Sequence, residues 1–336
     1  MVRAMVLAAG VGSRLEPISS YLPKPLVPVL NRPVMEHILK LLQKHGITDV
    51  ISNTHHMADI LQQHFRDHPP EGLNLQLFKE EELTGDAGGV RAAKDFLADD
   101  TFIVIMGDLI TNADLSALLK EHREKKAIAT IAVKQMKDVT RFGVMKRDPE
   151  GFITAFQEKP AAHEAISNEI STGIYILEPE VFDHIPETGV VGFGRQIFPD
   201  LVKKKLKVLG ATLVGHWSDI GTLQDLFRTN IDALYKKIPM ESPQQASGSD
   251  LLASMDQKIA SNVRIGQHVL LGKNISIGNS TVIGDGTIIG DNSTIGANCQ
   301  LKDCLIFSDS HISDNSKIED SIIAFNHQIK TSSVAH

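Results

Sequence analysis

The chain has 336 residues, of which 42% are hydrophobic and 22% are charged, and its formal net charge is −7. This length and composition are typical of a soluble globular protein with two domains, and the acidic balance argues against nucleic acid or an anionic membrane surface as a partner. The two cysteines, Cys299 and Cys304, argue against a disulfide framework or a zinc site, and no apolar stretch reaches membrane length, so we expect a cytoplasmic protein.

Alternating strands and helices are predicted over the first 240 residues. The apolar run at residues 4–9 is typical of a strand buried in a parallel sheet, and the spacing of apolar residues between 34 and 45 is helical. The further predicted elements are a strand over 49–53, a helix over 58–65 and a strand over 101–106. The order βαβαβ predicts a parallel sheet covered by helices, with ligands bound at the carboxyl ends of the strands.

A six-residue repeat occupies the last quarter of the chain. Its six aliphatic–glycine pairs are Ile265-Gly266, Leu271-Gly272, Ile277-Gly278, Ile283-Gly284, Ile289-Gly290 and Ile295-Gly296. A helix cannot produce this period, whereas short strands joined by tight corners can, with the aliphatic residue inside and the following Gly or Asn in a left-handed backbone conformation. The repeat predicts a short left-handed parallel β-helix with about 18 residues per coil. After Leu301 the register slips, and the repeat continues with fewer glycines.

The segment before the repeat has the composition of a linker. Residues 241–250 read ESPQQASGSD, which is rich in Ser, Gln, Gly and Pro. We therefore predict an α/β domain over residues 1–240, a linker over 241–254 and a β-helix over 255–336. Stacked coils expose a sheet-like flank, so we expect the β-helix to serve the assembly of a homo-oligomer.

A glycine-rich turn with two basic residues follows the first predicted strand. Gly10 and Gly12 can expose backbone N–H groups to an anion, and Arg14 is placed to clamp phosphate oxygens. The turn is not a Walker A loop, and Leu15 stands where a dinucleotide fingerprint has its third glycine. Lys24 lies between two prolines that stiffen its backbone. A plain tight turn and a surface lysine remain the simpler alternatives.

Two aspartates close predicted strands far apart in the chain. Asp108 follows the apolar segment at 103–107, and Asp219 follows Trp217. An aspartate in this position is often only a turn residue or a helix cap. Together with Arg14 and Lys24, however, two carboxylates are the groups needed to hold Mg²⁺ and a triphosphate.

These residues together resemble the sugar-phosphate nucleotidyltransferases, also called NDP-sugar pyrophosphorylases. The resemblance begins with Leu7-Ala8-Ala9-Gly10-x-Gly12-Ser13-Arg14-Leu15-x-Pro17 and Pro23-Lys24-Pro25. It continues, in the family's order, through residues 85–89, 106–108, 142–144, 156–160, 171–175 and 217–222. Within the family, the chain is similar to the branch of mannose-1-phosphate guanylyltransferases and bacterial glucose-1-phosphate uridylyltransferases. The resemblance implies a Rossmann-like domain with a mixed, mostly parallel sheet, and a hexapeptide tail also occurs in this family.

The resemblance also implies residue roles. The residues implied to bind the nucleotide are Leu7, Ala9, Gly10, Gly12, Ser13, Arg14, Asp86 and Gly88. Those implied to bind the sugar 1-phosphate are Gly143, Glu158, Lys159, Ser171 and Thr172. Asp108 and Asp219 are implied as ligands of the Mg²⁺ cofactor, and Arg14, Lys24 and Asp108 as the catalytic residues.

The implied reaction joins an NTP and a sugar 1-phosphate into an NDP-sugar and pyrophosphate. The attacking phosphate oxygen is already anionic near neutral pH, so catalysis consists of offsetting charge repulsion and aligning the reacting groups. We expect GTP with mannose 1-phosphate, with UTP or dTTP and glucose 1-phosphate as the alternative. Asp86 stands where relatives often have Thr, and Ser171 where many have Asn, so both bear on substrate choice.

Two interpretations from other classes remain open. Hexapeptide acyltransferases use a histidine as a base, and His268, His311 and His327 lie in or near the repeat. A non-catalytic regulatory relative is the second alternative. Such a chain would be expected to lose a charged residue of the site, whereas Arg14 and Lys24 are both present.

Overall fold

A computed structural model describes residues 2–240 and 258–331 of the chain. The predicted linker at 241–254 lies outside the described residues, so the predicted domain boundaries stay a prediction. Within the described residues, no helix combines the length and the apolar character that crossing a membrane requires.

Seven α-helices and thirteen strands are found in residues 2–240. The helices are α1 Val34–Lys44, α2 Ala58–Asp67, α3 Asp86–Ala92, α4 Lys94–Leu97, α5 Leu115–Lys125, α6 Phe198–Lys203 and α7 Leu223–Leu234. The strands are β1 Arg3–Leu7, β2 Pro28–Val29, β3 Arg32–Pro33, β4 Asp49–Thr54, β5 Asn74–Lys79, β6 Phe102–Met106, β7 Leu109–Thr111, β8 Ala129–Gln135, β9 Gly143–Arg147, β10 Ile153–Glu158, β11 Glu169–Leu177, β12 Val208–Thr212 and β13 Trp217–Asp219. A π-helix, Phe193–Ile197, leads into α6.

Residues 258–331 form eleven short strands. They are β14 Lys258–Ile259, β15 Arg264–Ile265, β16 Val269–Leu271, β17 Ser276–Ile277, β18 Val282–Ile283, β19 Thr287–Ile289, β20 Thr294–Ile295, β21 Gln300–Ile306, β22 His311–Ile312, β23 Lys317–Ala324 and β24 His327–Lys330.

The described residues divide into two compact units. The first contains the chain up to Val11 together with Ile38–Trp217, and the second contains Gly12–His37 together with the described residues from Ser218 onward. The chain crosses the boundary between the units three times, inside the glycine-rich turn, within α1 and within β13.

A nine-stranded sheet forms the centre of the first unit. Strands β5, β4, β1 and β6 are parallel neighbours, and β11 runs antiparallel to β6. Both β8 and β9 are antiparallel to β11, β12 is parallel to β8, and β10 is antiparallel to β9. Seven of the nine strands therefore point the same way, which confirms the predicted α/β fold with a mixed, mostly parallel sheet.

Strand β1 illustrates why the sequence adopts this sheet. Ala4, Met5 and Val6 are fully buried between β4 and β6. An interior parallel strand is covered on both faces, and an uninterrupted apolar run satisfies that requirement. Helices α1 and α2 and strands β4 and β6 begin or end within about two residues of the predicted bounds.

The second unit contains the parallel coils that the repeat predicts. Ile265 pairs with Ile283, eighteen residues later, whereas Ile288 pairs with Leu305, seventeen residues later. The slip of register seen in the sequence therefore corresponds to a coil that is one residue shorter, with 17 residues instead of 18. The inward-facing aliphatic residues pack on each other between the coils as a continuous core.

The repeat glycines do not adopt the left-handed backbone conformation that the sequence predicted for them. Left-handed backbone conformations fall on corner residues such as Asn274, Asn292 and Asn298, while the glycines of the six aliphatic–glycine pairs have no positive φ. Their requirement is close stacking of the coils. A Cβ atom on Gly278, for example, would lie 2.6 Å from the backbone nitrogen of Ala297.

Asn230 joins helix α7 to the N-terminal segment of the second unit. Its Oδ1 accepts a hydrogen bond from Leu30 N at 2.8 Å, and its Nδ2 donates to Pro28 O at 3.1 Å and to Leu226 O at 3.0 Å. The side chain is fully buried. One amide therefore bonds backbone groups of the buried residues Leu30 and Leu226 and of the half-buried Pro28.

We predict that Asn230→Leu lowers the free energy of unfolding by about 2–3 kcal/mol, because it leaves buried backbone groups without partners. Chemical denaturation with a fluorescence or circular dichroism signal measures the change. The control is Gln224→Ala, an exposed position on the same helix, which should change stability by less than about 0.5 kcal/mol. Equal stabilities for the two variants would contradict the assignment.

Candidate functional site

The carboxyl ends of β1 and β6 lie side by side in the first unit. Leu7 pairs with Met106, and Gly107 N donates to Leu7 O at 2.8 Å. A Cβ atom on Gly107 would lie 2.8 Å from that oxygen, so the close approach requires glycine. The half-buried Asp108 therefore emerges next to the end of β1, where the sequence predicted a carboxylate.

Ala9 and Gly10 continue from this end of β1. Ala9 is buried and Gly10 is exposed, and a Cβ atom on Gly10 would meet nothing within 4 Å. The open backbone at Gly10 is compatible with the predicted approach of a phosphate.

A buried polar network ties this strand end to the segment before α3. Ala8 N donates to Asn53 Oδ1 at 2.9 Å, and Asn53 Nδ2 donates to Glu80 Oε1 at 2.5 Å. The other carboxylate oxygen of Glu80 accepts from Thr84 N at 3.1 Å and from Thr84 Oγ1 at 2.6 Å. Asn53 and Glu80 are only 3% and 6% exposed. Neither residue was predicted from the sequence, although each lies at or just after the end of a strand adjacent to the predicted site.

Residues 84–88 are held against the segment that precedes the π-helix. Val191 N donates to Thr84 O at 2.8 Å, and Val191 O accepts from Ala87 N and Gly88 N at 3.1 and 3.2 Å. Gly85 has φ of +82°, and a Cβ atom there would overlap the backbone of Val191. Glycine at this position is therefore required both by its conformation and by the close contact.

Asp86 completes this junction with its side chain. Its Oδ1 accepts from Phe193 N at 2.7 Å and from Ala87 N at 2.8 Å. Burial raises the pKa of Asp86, while these backbone hydrogen bonds and the charge of Lys159 act in the opposite direction. The structure thus brings Asp86, predicted at the nucleotide, into electrostatic range of Lys159, predicted at the sugar phosphate.

Glu158 and Lys159 lie at the end of the β9–β10 hairpin. Glu158 pairs with Gly143, and a Cβ atom on Gly143 would lie 2.5 Å from the Phe156 ring. Lys159 Nζ is 3.7 Å from Glu158 Oε1, and its backbone has φ of +48°. Burial raises the pKa of Glu158, the charge of Lys159 acts against this rise, and the charge of Asp86 adds to it. The hairpin therefore brings together three of the five predicted sugar residues.

The other two lie at a bulge in β11. The register against β8 shifts between Ser171 and Tyr175, where Gly173 has φ of +75°. Thr172 is only 1% exposed, and its hydroxyl donates to Ala132 O at 2.7 Å. The hydroxyl of Thr172 is thus engaged within the protein, while Ser171 Oγ has only a 3.4 Å contact with the Tyr175 hydroxyl.

The remaining predicted residues belong to the second unit. Gly12 has φ of +71° and precedes a 3₁₀ helix, Ser13–Leu15, on which Arg14 is exposed. A Cβ atom on Gly12 would lie 3.2 Å from the Cβ atom of Lys24, so glycine allows this close approach. The structure therefore brings Gly12 and Lys24 together. Asp219 is half-buried at the end of β13.

The chemistry of the acidic residues fits Mg²⁺ better than zinc. Across residues 2–240 and 258–331, no group of three or more His, Cys, Asp or Glu side chains could by itself hold a metal ion. Zinc sites need three or four such ligands, whereas Mg²⁺ is commonly held by one or two carboxylates, water and substrate phosphates. Asp108 and Asp219, each predicted as a Mg²⁺ ligand, carry carboxylate oxygens of the kind that Mg²⁺ binds.

We predict that Asp86→Asn is at least as stable as the wild type at neutral pH. Asn retains an oxygen acceptor for the two backbone N–H groups and removes a charge that burial disfavours. Because the pKa of Asp86 is raised in the folded state, its ionisation lowers stability as the pH rises above the ordinary value of 3.8. Melting temperatures between pH 5 and pH 8 should show an advantage of the variant that shrinks as the pH falls. An advantage of the variant over the wild type that stays constant or grows as the pH falls would contradict this cause.

Two family models match the sequence. The model described as "Nucleotidyl transferase" matches residues 3–236. The model described as "GMPPB C-terminal domain" matches residues 265–335.

Similar proteins are found among curated sequences and solved structures. UTP–glucose-1-phosphate uridylyltransferase of Synechocystis is 40% identical over 250 residues, which cover 70% of this chain and 64% of that protein. Mannose-1-phosphate guanylyltransferase of Mycobacterium tuberculosis is 31% identical over 252 residues, which cover 75% of this chain and 70% of that protein. A crystal structure described as a glucose-1-phosphate thymidylyltransferase of Bacillus anthracis, in complex with sucrose, aligns with a TM-score of 0.62 and 28% identity over 72% of this chain and 98% of that one.

Proposed function

The chain belongs to the nucleotidyl transferase family, and from this premise we propose that it transfers a nucleotidyl group from an NTP to a sugar 1-phosphate and releases pyrophosphate. The family resemblance found in the sequence, and with it the expectation of a nucleotidyltransferase family enzyme, is confirmed. The chain spans 64% of the length of its Synechocystis relative. The observation that carries the proposal is the placement of Asp108 beside the end of β1, inside the matched region.

The proposed reaction is an in-line displacement at the α-phosphorus. A phosphate oxygen of the sugar 1-phosphate forms a new P–O bond to the α-phosphorus. The bond from the α-phosphorus to the bridging oxygen breaks, and its electron pair leaves with pyrophosphate. The attacking oxygen needs no general base because it is already an anion. Several negative charges must come together, so the work of the protein is to bind, orient and offset them.

The basic residues supply this charge compensation. We assign the triphosphate to Arg14, Lys24 and the backbone of the glycine-rich turn, and the phosphate of the sugar to Lys159. Glu158 accepts hydrogen bonds from ring hydroxyls. Asp108 and Asp219 would hold Mg²⁺, which when bound lowers the negative charge of the phosphates.

Two substrate pairs are proposed in order. The 40% identity to a uridylyltransferase, across the catalytic region, favours UTP with glucose 1-phosphate. GTP with mannose 1-phosphate, the pair expected from sequence, is the second candidate, supported by the guanylyltransferase relative and by the match of residues 265–335. We also propose a cytoplasmic homo-oligomer, in which the buried thiols of Cys299 and Cys304 stay reduced.

Pyrophosphate release with each common NTP against glucose, mannose, galactose and N-acetylglucosamine 1-phosphates tests this function. We expect magnesium-dependent turnover with at least one pair, and the preferred pair identifies the substrates. A chain inactive with every pair but able to acetylate an amino sugar from acetyl-CoA would instead support the acyltransferase alternative.

We predict that Asp108→Asn and Arg14→Ala each lower kcat by about 10³-fold or more, because each removes a charge that the transition state requires. Melting temperatures should stay close to that of the wild type. Asp59→Asn, at an exposed position of α2, is the matched control and should retain full activity. Wild-type turnover in Asp108→Asn would refute the metal assignment.

A further inference from the structure

Asp86 has one carboxylate oxygen without a protein partner. Its Oδ1 accepts both backbone hydrogen bonds, whereas Oδ2 accepts none from the residues that the structure describes. Among the described residues, Oδ2 is not one of the buried polar atoms that lack a partner, so a bound molecule can reach it. The arrangement is that of a fixed acceptor directed to something other than the protein.

The surroundings of Asp86 are those of the proposed sugar site. Its charge acts on Glu158 and on the Tyr175 hydroxyl, and the charge of Lys159 acts on it. Thr84, two residues earlier, belongs instead to the network that reaches Ala8 through Asn53. The segment 84–88 is therefore connected to the end of β1 through Thr84 and lies near Glu158 and Lys159 through Asp86.

The π-helix holds Asp86 and Glu158 on one short stretch of backbone. Phe193 N is bonded to Asp86, and the carboxylate of Glu158 packs so closely on the next residue that a Cβ atom on Gly194 would overlap it. Consecutive residues thus bond one carboxylate and pack closely against the other. Such preorganisation is what recognition of a ring with several hydroxyls requires.

The charges of the cluster select the kind of group that Asp86 can bind. An ionised carboxylate only accepts hydrogen bonds, and two neighbouring carboxylates repel a phosphate. Lys159 is already paired with Glu158 and exposed on its other side. A neutral donor, such as a sugar hydroxyl, is the partner that satisfies Oδ2 without adding negative charge.

We propose that Asp86 is a specificity-determining residue for the sugar, whose Oδ2 accepts a hydrogen bond from a ring hydroxyl beside those held by Glu158. The inference rests on the proposed function and deepens it. It moves the side chain of Asp86 from the nucleotide base, its sequence-based role, to the sugar. The substrate class is a hexose 1-phosphate with a free hydroxyl at that position.

The test combines Asp86→Asn with sugar 1-phosphates that each lack one ring hydroxyl. In the wild type, one deoxy analogue should lose about 10²-fold or more in kcat/KM, because it leaves Oδ2 unpaired. In Asp86→Asn the loss for that same analogue should shrink to within about threefold, while the losses at the other positions stay as in the wild type. The KM for the NTP should be unchanged, and the KM for the intact sugar 1-phosphate should rise about 10- to 100-fold.

Asp95→Asn, an equal change of charge at an exposed position of α4, is the control and should behave as the wild type. Melting temperature verifies that each variant is folded. Equal deoxy-analogue losses in wild type and Asp86→Asn, or a change confined to the KM for the NTP, overturn the inference while the proposed function stands. A wild type without turnover on any pair refutes the proposed function itself.

Discussion

The hydrogen bonds between Val191 and residues 84–88 hold two loops of the first unit together at the edge of its sheet. They form only because Gly85 brings its backbone against Val191 in a conformation that other residues rarely adopt. The start of α3 and the position of Asp86 depend on this junction. Through Phe193 and Gly194 the junction also determines where Glu158 is packed. This backbone contact thereby supports the position of Asp86 and the packing surface of Glu158, the two carboxylates that we propose at the sugar.

Irregular backbone is concentrated around Asp86 and Glu158. Lys159 has a positive φ, β11 is bulged at Gly173, and residues Phe193–Ile197 form a π-helix. Each feature departs from regular secondary structure, which has the lower local conformational energy, and it persists because the surrounding packing holds it in place. Four aromatic rings, those of Phe156, Tyr175, Phe193 and Phe198, pack beside it and keep the carboxylates partly desolvated. The raised pKa values of Asp86 and Glu158 follow from this burial.

Much of this architecture could be predicted from the sequence, because the signals are local. The apolar run of β1, the helical spacing of α1 and the six-residue repeat each report a periodicity that one type of structure satisfies. Asp108 was found because it follows an apolar strand. Asn53 was missed because its partners Ala8 and Glu80 lie 45 and 27 residues away, and no local pattern marks such pairs. The engagement of the Thr172 hydroxyl with Ala132, 40 residues away, was hidden for the same reason.

The central claim is that the phosphate of the sugar attacks the α-phosphorus of the nucleotide. A sugar 1-phosphate labelled with ¹⁸O in its three non-bridging oxygens tests it most directly, with the products separated and weighed by mass spectrometry. The account predicts that all of the label stays in the NDP-sugar and that pyrophosphate carries none. Label in pyrophosphate, or an NDP-sugar that has lost ¹⁸O, would contradict it.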